Sequence, residues 1–471
     1  VAAAGLGPEA VAALAFSATC SLVLRRGDGS PLALSEATAG LPGPWDVVVW
    51  MDHRAEAEAE ACTATGSRVL DCLGGRMSPE MQVPKLMWLK RHRPDLWREL
   101  GLAADLSDFL AWRCSGTAGR SVCTLVCKWT WLAHEADGRE QGWDRGFLAA
   151  VDLADLTEKA ALPEKASPVG APLGRLTPQA AEALGLTTDC LVAAGLIDAH
   201  AGALGTLAAH LEGPVESRLA LIAGTSNCQI ALHRERHAVP GVWGPYLGAV
   251  AEGLWCAEGG QSATGALLDH LVRGSAAAGE FGADPHEALS AEILRRLEAG
   301  GDPAPELHLL PDFIGNRSPH ADPGLRGVVS GLTIEEPAET LVKLYWAAAC
   351  SIAYGTRLVI ERLNAGGYRI GRIHLSGGHA KSALFRRLYA DATGCALLVS
   401  ESAEPVLLGA AIAAAAALDP EAGLKAAAGA LARPSRSSAP DPRFTALHER
   451  RYAAFLALYE QRKALEAIMG A

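Results

Sequence analysis

A chain of 471 residues is too long for one ordinary hydrophobic core, which stops growing at roughly 250 to 300 residues, so two large domains are expected. Its 49% hydrophobic and 20% charged residues are the balance of a folded globular protein and not of a disordered one. A formal net charge of −11 argues against a phosphate-backbone binder, and no run approaches the ~20 apolar residues that span a bilayer. No nucleic-acid or membrane partner is therefore expected, and the chain reads as soluble and cytoplasmic.

In chain order, the first residues, starting at Val1, read as a helix end feeding an apolar strand over Val11–Phe16. A second short apolar run covers Val47–Trp50, and Lys85–Arg93 has helical rhythm. Pro178–Leu184 is also helical, with Thr177 placed to cap it, and Leu191–Ile197 is a third apolar run. The alternation is mixed α/β. Leu211–Arg218 is polar and carries Gly213 and Pro214, which marks a boundary between a domain at 1–210 and another at 215–471. Beyond it a new apolar strand, Leu219–Ala223, runs into a Gly-rich turn. Leu341–Leu363 reads as a long buried helix, and Gly409–Leu418, almost pure Ala and Ile, as a helix packed closely on a sheet. Arg433–Pro442 reads as a loop and Phe444–Met469 as a final charged helix.

The 11 cysteines are an odd number scattered from Cys20 to Cys395 without C-x-x-C pairs, and are expected to be reduced and mostly buried. Cys123 and Cys127 could share a helical face with a metal between them. No nearby histidine in the sequence completes the set, so that site is not expected.

Four segments can carry chemistry. The run Leu191–Ile197 ends on Asp198, a carboxylate at a strand end facing a helix start, where open α/β folds hold ligands. Capping of that helix is the plainer reading of Asp198, and both roles can coexist. The turn Gly224, Thr225 and Ser226 combines close backbone approach with two hydroxyls, which suits a phosphate or simply a hairpin. Glu258–Gly265 opens a helix with small residues, where a phosphate or base could sit or the helix merely pack. Ser376–Ser382 places Gly377 and Gly378 at a strand-to-helix turn, where glycine serves nucleotide contact or geometry alone.

Taken together and in this order, G-x-x-D-A-H-A-G, A-G-T-S, E-G-G-Q-S-A-T-G and S-G-G-H-A-K-S resemble the FGGY carbohydrate kinases. The segments Trp50–Ala55, Ser78–Lys85, Cys127–Trp129, Gly241–Tyr246 and Gly315–Pro319 are similar to the pentulose kinase branch that includes ribulokinases. The resemblance implies two actin-like ATPase (ribonuclease H-like) domains with a cleft between them, an N-terminal sugar-binding one and a C-terminal nucleotide-binding one. It implies ATP and Mg²⁺, a small sugar as the other substrate, and Asp198 as the catalytic base and the residue assigned to the metal. Gly224, Thr225, Ser226, Gly265, Gly377, Gly378 and Ser382 match positions around the nucleotide, while Ser376 and His379 depart from the pattern, where many members carry another Gly or an Ala. Thr19, Cys20 and Lys128 match sugar-facing positions. Asp52, His53 and Arg54 either line the same pocket or brace its floor.

The implied reaction is phosphorylation of a pentulose, D-ribulose before xylulose, L-ribulose, ribitol or erythritol, since a few pocket contacts read one hydroxyl's stereochemistry. A non-catalytic nucleotide-binding protein on the same fold is the alternative from another class, and Asp198 argues against it. A homodimer is the expected symmetric assembly, if any. FGGY kinases begin with a strand-turn-strand bearing Asp-x-Gly-Thr-x-Ser, absent before Phe16, so a further N-terminal segment is expected in the full-length product.

Overall fold

A computed structural model describes residues 2–137 and 141–469. The chain divides into two compact units, each discontinuous: Val1–Val215 with Leu232–Ala257 and Glu404–Arg433, and Glu216–Ala231 with Glu258–Ala403 and Pro434–Ala471. Among the described residues no helix is long and apolar enough to cross a membrane.

The first unit holds two three-stranded sheets. One is ordered β1-β6-β5, with β1 (Ala13–Ala18) parallel to β6 (Leu191–Ile197) and β5 (Pro172–Arg175) antiparallel to β6. The other is antiparallel and ordered β3-β2-β4, from β2 (Leu22–Arg26), β3 (Val47–Val48) and β4 (Leu100–Asp105). The apolar run expected over Val47–Trp50 thus pairs only through its first two residues. β6 is buried from Val192 to Ile197, as its unbroken apolar sequence requires of a strand covered on both faces.

Straight after β6 comes the helix Asp198–Leu207, crossed by the helix Pro405–Leu418. The crossing is possible because each helix has a glycine at the contact. A Cβ on Gly205 would stand 2.0 Å from the Pro405 carbonyl oxygen, and one on Gly409 would stand 1.9 Å from that of Ala201. The small residues of 409–418 therefore serve a helix-on-helix contact as well as the expected packing on strands β1 and β6.

The short helix Val122–Lys128 is fixed by buried hydrogen bonds. Ser121 accepts from the Cys123 amide at its N-terminus and donates to the Gly195 carbonyl of β6, at 2.7 Å. Buried Asp108 accepts from the Ser121 amide and the Thr124 hydroxyl, at 2.9 and 2.6 Å. The helix is thereby tied to the strand that leads into Asp198.

The second unit is built on a sheet that includes, in order, β12-β11-β10-β7-β8-β9, of which β8 up to Ala231 and β9 from Glu258 fall in this unit. These are β7 (Arg218–Ala223), β8 (Asn227–His233), β9 (Trp255–Gln261), β10 (Arg372–Ser376), β11 (Ala396–Ser400) and β12 (Ser435–Ser438). β7, β10 and β11 are parallel, while β8 runs antiparallel to β7 and β12 antiparallel to β11. The segment 433–442, read as a loop from its Pro and Ser content, contains β12, because edge pairing with β11 needs backbone groups and not apolar side chains. Likewise Glu258–Gln261 ends β9, and the helix opens only at Gly265. The expected long helix spans Pro337–Ala365 and the terminal one Thr445–Met469. A buried amide network links sheet and long helix: Asn227 and Gln261 exchange two hydrogen bonds at 2.6 and 2.9 Å, and Gln229 donates to Thr356 at 3.1 Å.

Candidate active site

Asp198 is the first residue of its helix and is only partly buried, although the rest of that helix is buried. Its carboxylate accepts from the neighbouring Ala199 amide at 2.7 Å, so it answers one of the free helix-start donors without being sealed away from a ligand.

Around Cys20, in the same unit, lies a buried polar cluster. Burial pushes the Cys20 thiol up to about 12, with Lys128 pulling it down and Asp105 and Glu80 pushing it further up. The Cys20 carbonyl accepts from Gln82 Nε2 at 2.8 Å, and the same nitrogen donates to Asp105 at 2.9 Å. Burial raises the Asp105 carboxyl to about 7, against the lowering effect of bonds from Trp129 and Gln82. Lys85 donates to the Val49 and Trp50 carbonyls, at 3.1 and 2.9 Å, and burial depresses its pKa. Lys128 is buried, its ammonium 4.5 Å from the centre of the Trp243 ring. Thr19 shares a hydrogen bond of 2.9 Å with Ser21.

Thr19, Cys20 and Lys128 thus belong to one neighbourhood. Asp52 and Arg54 are turned to each other, at 2.5 Å, and the Arg54 guanidinium covers Trp88 at 4.8 Å. His53 faces Glu80 at 3.8 Å, and the nearby Glu80 carboxylate is the main cause holding its pKa above the usual value. Glu80, Gln82, Lys85 and Asp105 are the cluster's unannounced members. The first three lie in the segment Ser78–Lys85, yet nothing in a charged or amide residue by itself says that it is buried.

In the second unit a cavity of about 790 Å³ opens at the β7–β8 turn. Gly224, Thr225, Gly265, Gly378 and Ser382 all line it. The turn is a tight hairpin, with the Gly224 amide bonded to the Ser226 carbonyl at 2.9 Å. It is stitched to the next helix start: the Gly265 amide and the Thr264 hydroxyl both reach the Gly224 carbonyl at 2.9 Å. Ser226 and Gly377 are not among the lining residues. Gly377 has φ +83°, and a Cβ there would meet the Ala223 carbonyl oxygen at 2.4 Å, so glycine is required by the packing of the turn on β7. Ser382 caps the helix Ala383–Thr393, accepting from the Phe385 amide at 3.4 Å.

Three further groups mark the cavity wall. His286 bridges Asp269, at 2.9 Å, and the Tyr345 hydroxyl, at 3.2 Å. Tyr345 belongs to the rhythm of the long helix, so its sequence context announces core alone. His379 stacks on Phe385 with centroids 4.0 Å apart and shares a 2.9 Å hydrogen bond with Tyr389. Burial lowers its pKa to about 4, so it is a neutral ring at physiological pH. Hydroxyls, backbone amides and one flat apolar wall can hold a polar ligand with an aromatic part.

Cys123 and Cys127, for which the sequence offers no nearby histidine, do have one in the fold. His200 stands beside them, its Nε2 3.3 Å from the Cys127 sulfur. All eleven cysteines are free thiols.

This architecture is the actin-like ATPase fold found in solved sugar kinases. It superposes on a xylulose kinase from Brucella ovis with a TM-score of 0.77 at 21% identity, covering 96% of this chain and 85% of that one. A gluconate kinase from Lactobacillus acidophilus gives 0.78 at 18%, covering 98% and 86%. Residues 45–205 match the N-terminal domain, and 219–418 the C-terminal domain, of the FGGY family of carbohydrate kinases. A Danio rerio FGGY carbohydrate kinase domain-containing protein is 40% identical over 489 residues, 99% of this chain and 88% of that protein. The D-ribulokinase of Saccharomyces cerevisiae is 36% identical over 440 residues, 84% of this chain and 60% of that protein. A ribulokinase of Mycolicibacterium smegmatis is 30% identical over 474 residues, 98% and 81%. The chain belongs to the FGGY family and is a carbohydrate kinase, which sets aside the non-catalytic alternative.

Proposed function

We propose that the chain phosphorylates a five-carbon ketose, D-ribulose to D-ribulose 5-phosphate, with Asp198 as general base. The observation that carries the chemistry is the partly exposed carboxylate of Asp198 at a helix start directly behind a buried strand. The relative named D-ribulokinase, at 36% identity, supports the choice of sugar. Asp198 takes the proton of the sugar hydroxyl as its oxygen attacks the γ-phosphorus of ATP, and the bond from that phosphorus to the β-phosphate oxygen breaks, releasing ADP. Aligning and deprotonating the hydroxyl contributes typically ~10²–10⁴-fold. Thr19, Cys20 and Lys128 hold the sugar, with Lys128 as its fixed positive charge.

The cavity at the β7–β8 turn takes ATP. Gly224 and Thr225 approach its phosphates, and Gly265, Gly378 and Ser382 surround the nucleotide. The hard oxygen of Asp198, only partly buried, suits Mg²⁺ held mainly by phosphates and water. When bound, Mg²⁺ supplies neutralisation of phosphate charge.

The test is a panel of ketoses and polyols in a coupled ADP-release assay. D-Ribulose is expected to show the highest kcat/KM. A higher value for xylulose, L-ribulose, ribitol or erythritol would replace it as substrate, and no turnover with any of them would remove the pentulose reading.

A further inference from the structure

Cys123 and Cys127 are one turn apart on the helix Val122–Lys128, so both thiols project from one face. His200, in the first turn of the helix Asp198–Leu207, meets that face. The two sulfurs and an imidazole nitrogen all lie within 4.8 Å of one another, with 3.3 Å between Cys127 Sγ and His200 Nε2. All three side chains are buried. A tetrahedral ion with bonds of about 2.3 Å to sulfur and about 2.0–2.1 Å to nitrogen separates its ligand atoms by about 3.5–3.8 Å. The group is therefore within about an ångström of ligating geometry, a closure shared between the three side chains and the helix turns that carry them.

Two thiols and an imidazole select soft or borderline cations, and disfavour Mg²⁺, which prefers oxygen. We propose that Cys123, Cys127 and His200 form a site for a thiophilic cation of the zinc class, and that its occupation slows the kinase. The first claim stands on the geometry alone. The second rests on Asp198 being the base: His200 is two residues beyond it, and Lys128 is next to Cys127. Drawing three ligands onto one ion shifts the start of the helix that aims Asp198, and misplacement by about 1 Å can cost ~10²-fold. Binding releases the two thiol protons, so affinity rises with pH.

The test uses the reduced full chain titrated with Co²⁺ and, separately, loaded with Zn²⁺ and freed of excess. Expected are a thiolate-to-cobalt charge-transfer band, about one zinc per chain by elemental analysis, and turnover reduced at least about tenfold in the loaded protein. Cys123→Ser should retain turnover in metal-free buffer while losing at least about tenfold in zinc affinity. Should that variant not fold, the cobalt spectrum of the parent decides alone. Absence of the band with less than about a tenth of an equivalent of zinc, even after growth in zinc-rich medium, overturns the site. Binding that Cys123→Ser leaves unchanged also overturns it. A filled site with unchanged turnover overturns the regulatory claim only. If Asp198→Asn left turnover intact, the base would be wrong while the cobalt band would persist, so the two failures are distinguishable.

Discussion

On the proposed assignment, in which the Cys20 cluster of the first unit takes the sugar and the cavity of the second takes the nucleotide, the two regions are built by opposite means. Around Cys20, ionisable side chains are buried and spend their hydrogen bonds on one another and on carbonyls: Gln82 on Cys20 and Asp105, Lys85 on Val49 and Trp50. At the β7–β8 turn, backbone geometry does most of the work, with Gly224, Gly265 and Gly378 giving access and the flat His379–Phe385 stack giving one wall. A buried charged cluster tolerates few ligands, because any group left unpartnered there costs about 1–3 kcal/mol or more. A backbone-lined cavity tolerates substitution wherever a side chain is not the contact. Sugar choice should therefore be fragile to mutation, and nucleotide binding robust.

The sharpest way to break that contrast is Asp198→Asn. Turnover is expected to fall at least ~10²-fold with ATP affinity retained, since the amide keeps the shape and accepts no proton. Turnover within about threefold of the parent would remove Asp198 from its role. Next in size is Gly409→Ala, whose added carbon would meet the Ala201 carbonyl. A loss of about 2–3 kcal/mol in chemical denaturation is expected. An unchanged midpoint would mean the two helices can part without cost.

His379 tests the second region by pH. Its pKa lies below that of an ordinary histidine, so the unfolded chain binds the extra proton first. The stabilisation is complete above about pH 6.5 and is lost as pH falls towards about 4. His379→Phe keeps the stack on Phe385, and should remove about 2 kcal/mol of the stability difference between pH 7 and pH 5. Denaturant titrations of both proteins at the two pH values check it, and parallel losses would show that His379 carries none of the acid sensitivity. The mildest is Lys128→Met, expected to raise the sugar KM about tenfold, some 1.4 kcal/mol, and the ATP KM less than about twofold. Equal effects on both substrates would return Lys128 to a purely structural role, and the contrast between the two regions would lose its first half.

What sequence reading reaches follows the same division. Asp198 is visible because an apolar run stops on it. Gly265 answers a real backbone demand, since a Cβ there would meet the Gly224 carbonyl oxygen at 2.7 Å, whereas Gly224 and Gly378, where a Cβ would meet nothing closer than 3.9 Å, are visible only through the motifs that hold them. Glu80, Lys85 and Asp105 are invisible as buried groups, since only tertiary partners make burial of a charge tolerable, and those partners are distant in the chain. His200 and Cys127 are 73 residues apart, a separation that no spacing rule spans. The strand Ser435–Ser438 is missed for a related reason: its pairing is backbone to backbone and leaves its composition loop-like.

The glycine crossing of the helices Asp198–Leu207 and Pro405–Leu418 also dictates an order of events during synthesis. The helix bearing Asp198 emerges first, and the one that clasps it follows roughly 200 residues later. At about 5–20 residues per second the ribosome leaves the first unit without its clasp for about 10–40 seconds, with apolar surface uncovered. The nascent chain thus passes through a long interval in which chaperone shelter matters, and the carboxylate is set in place only when most of the protein has been made.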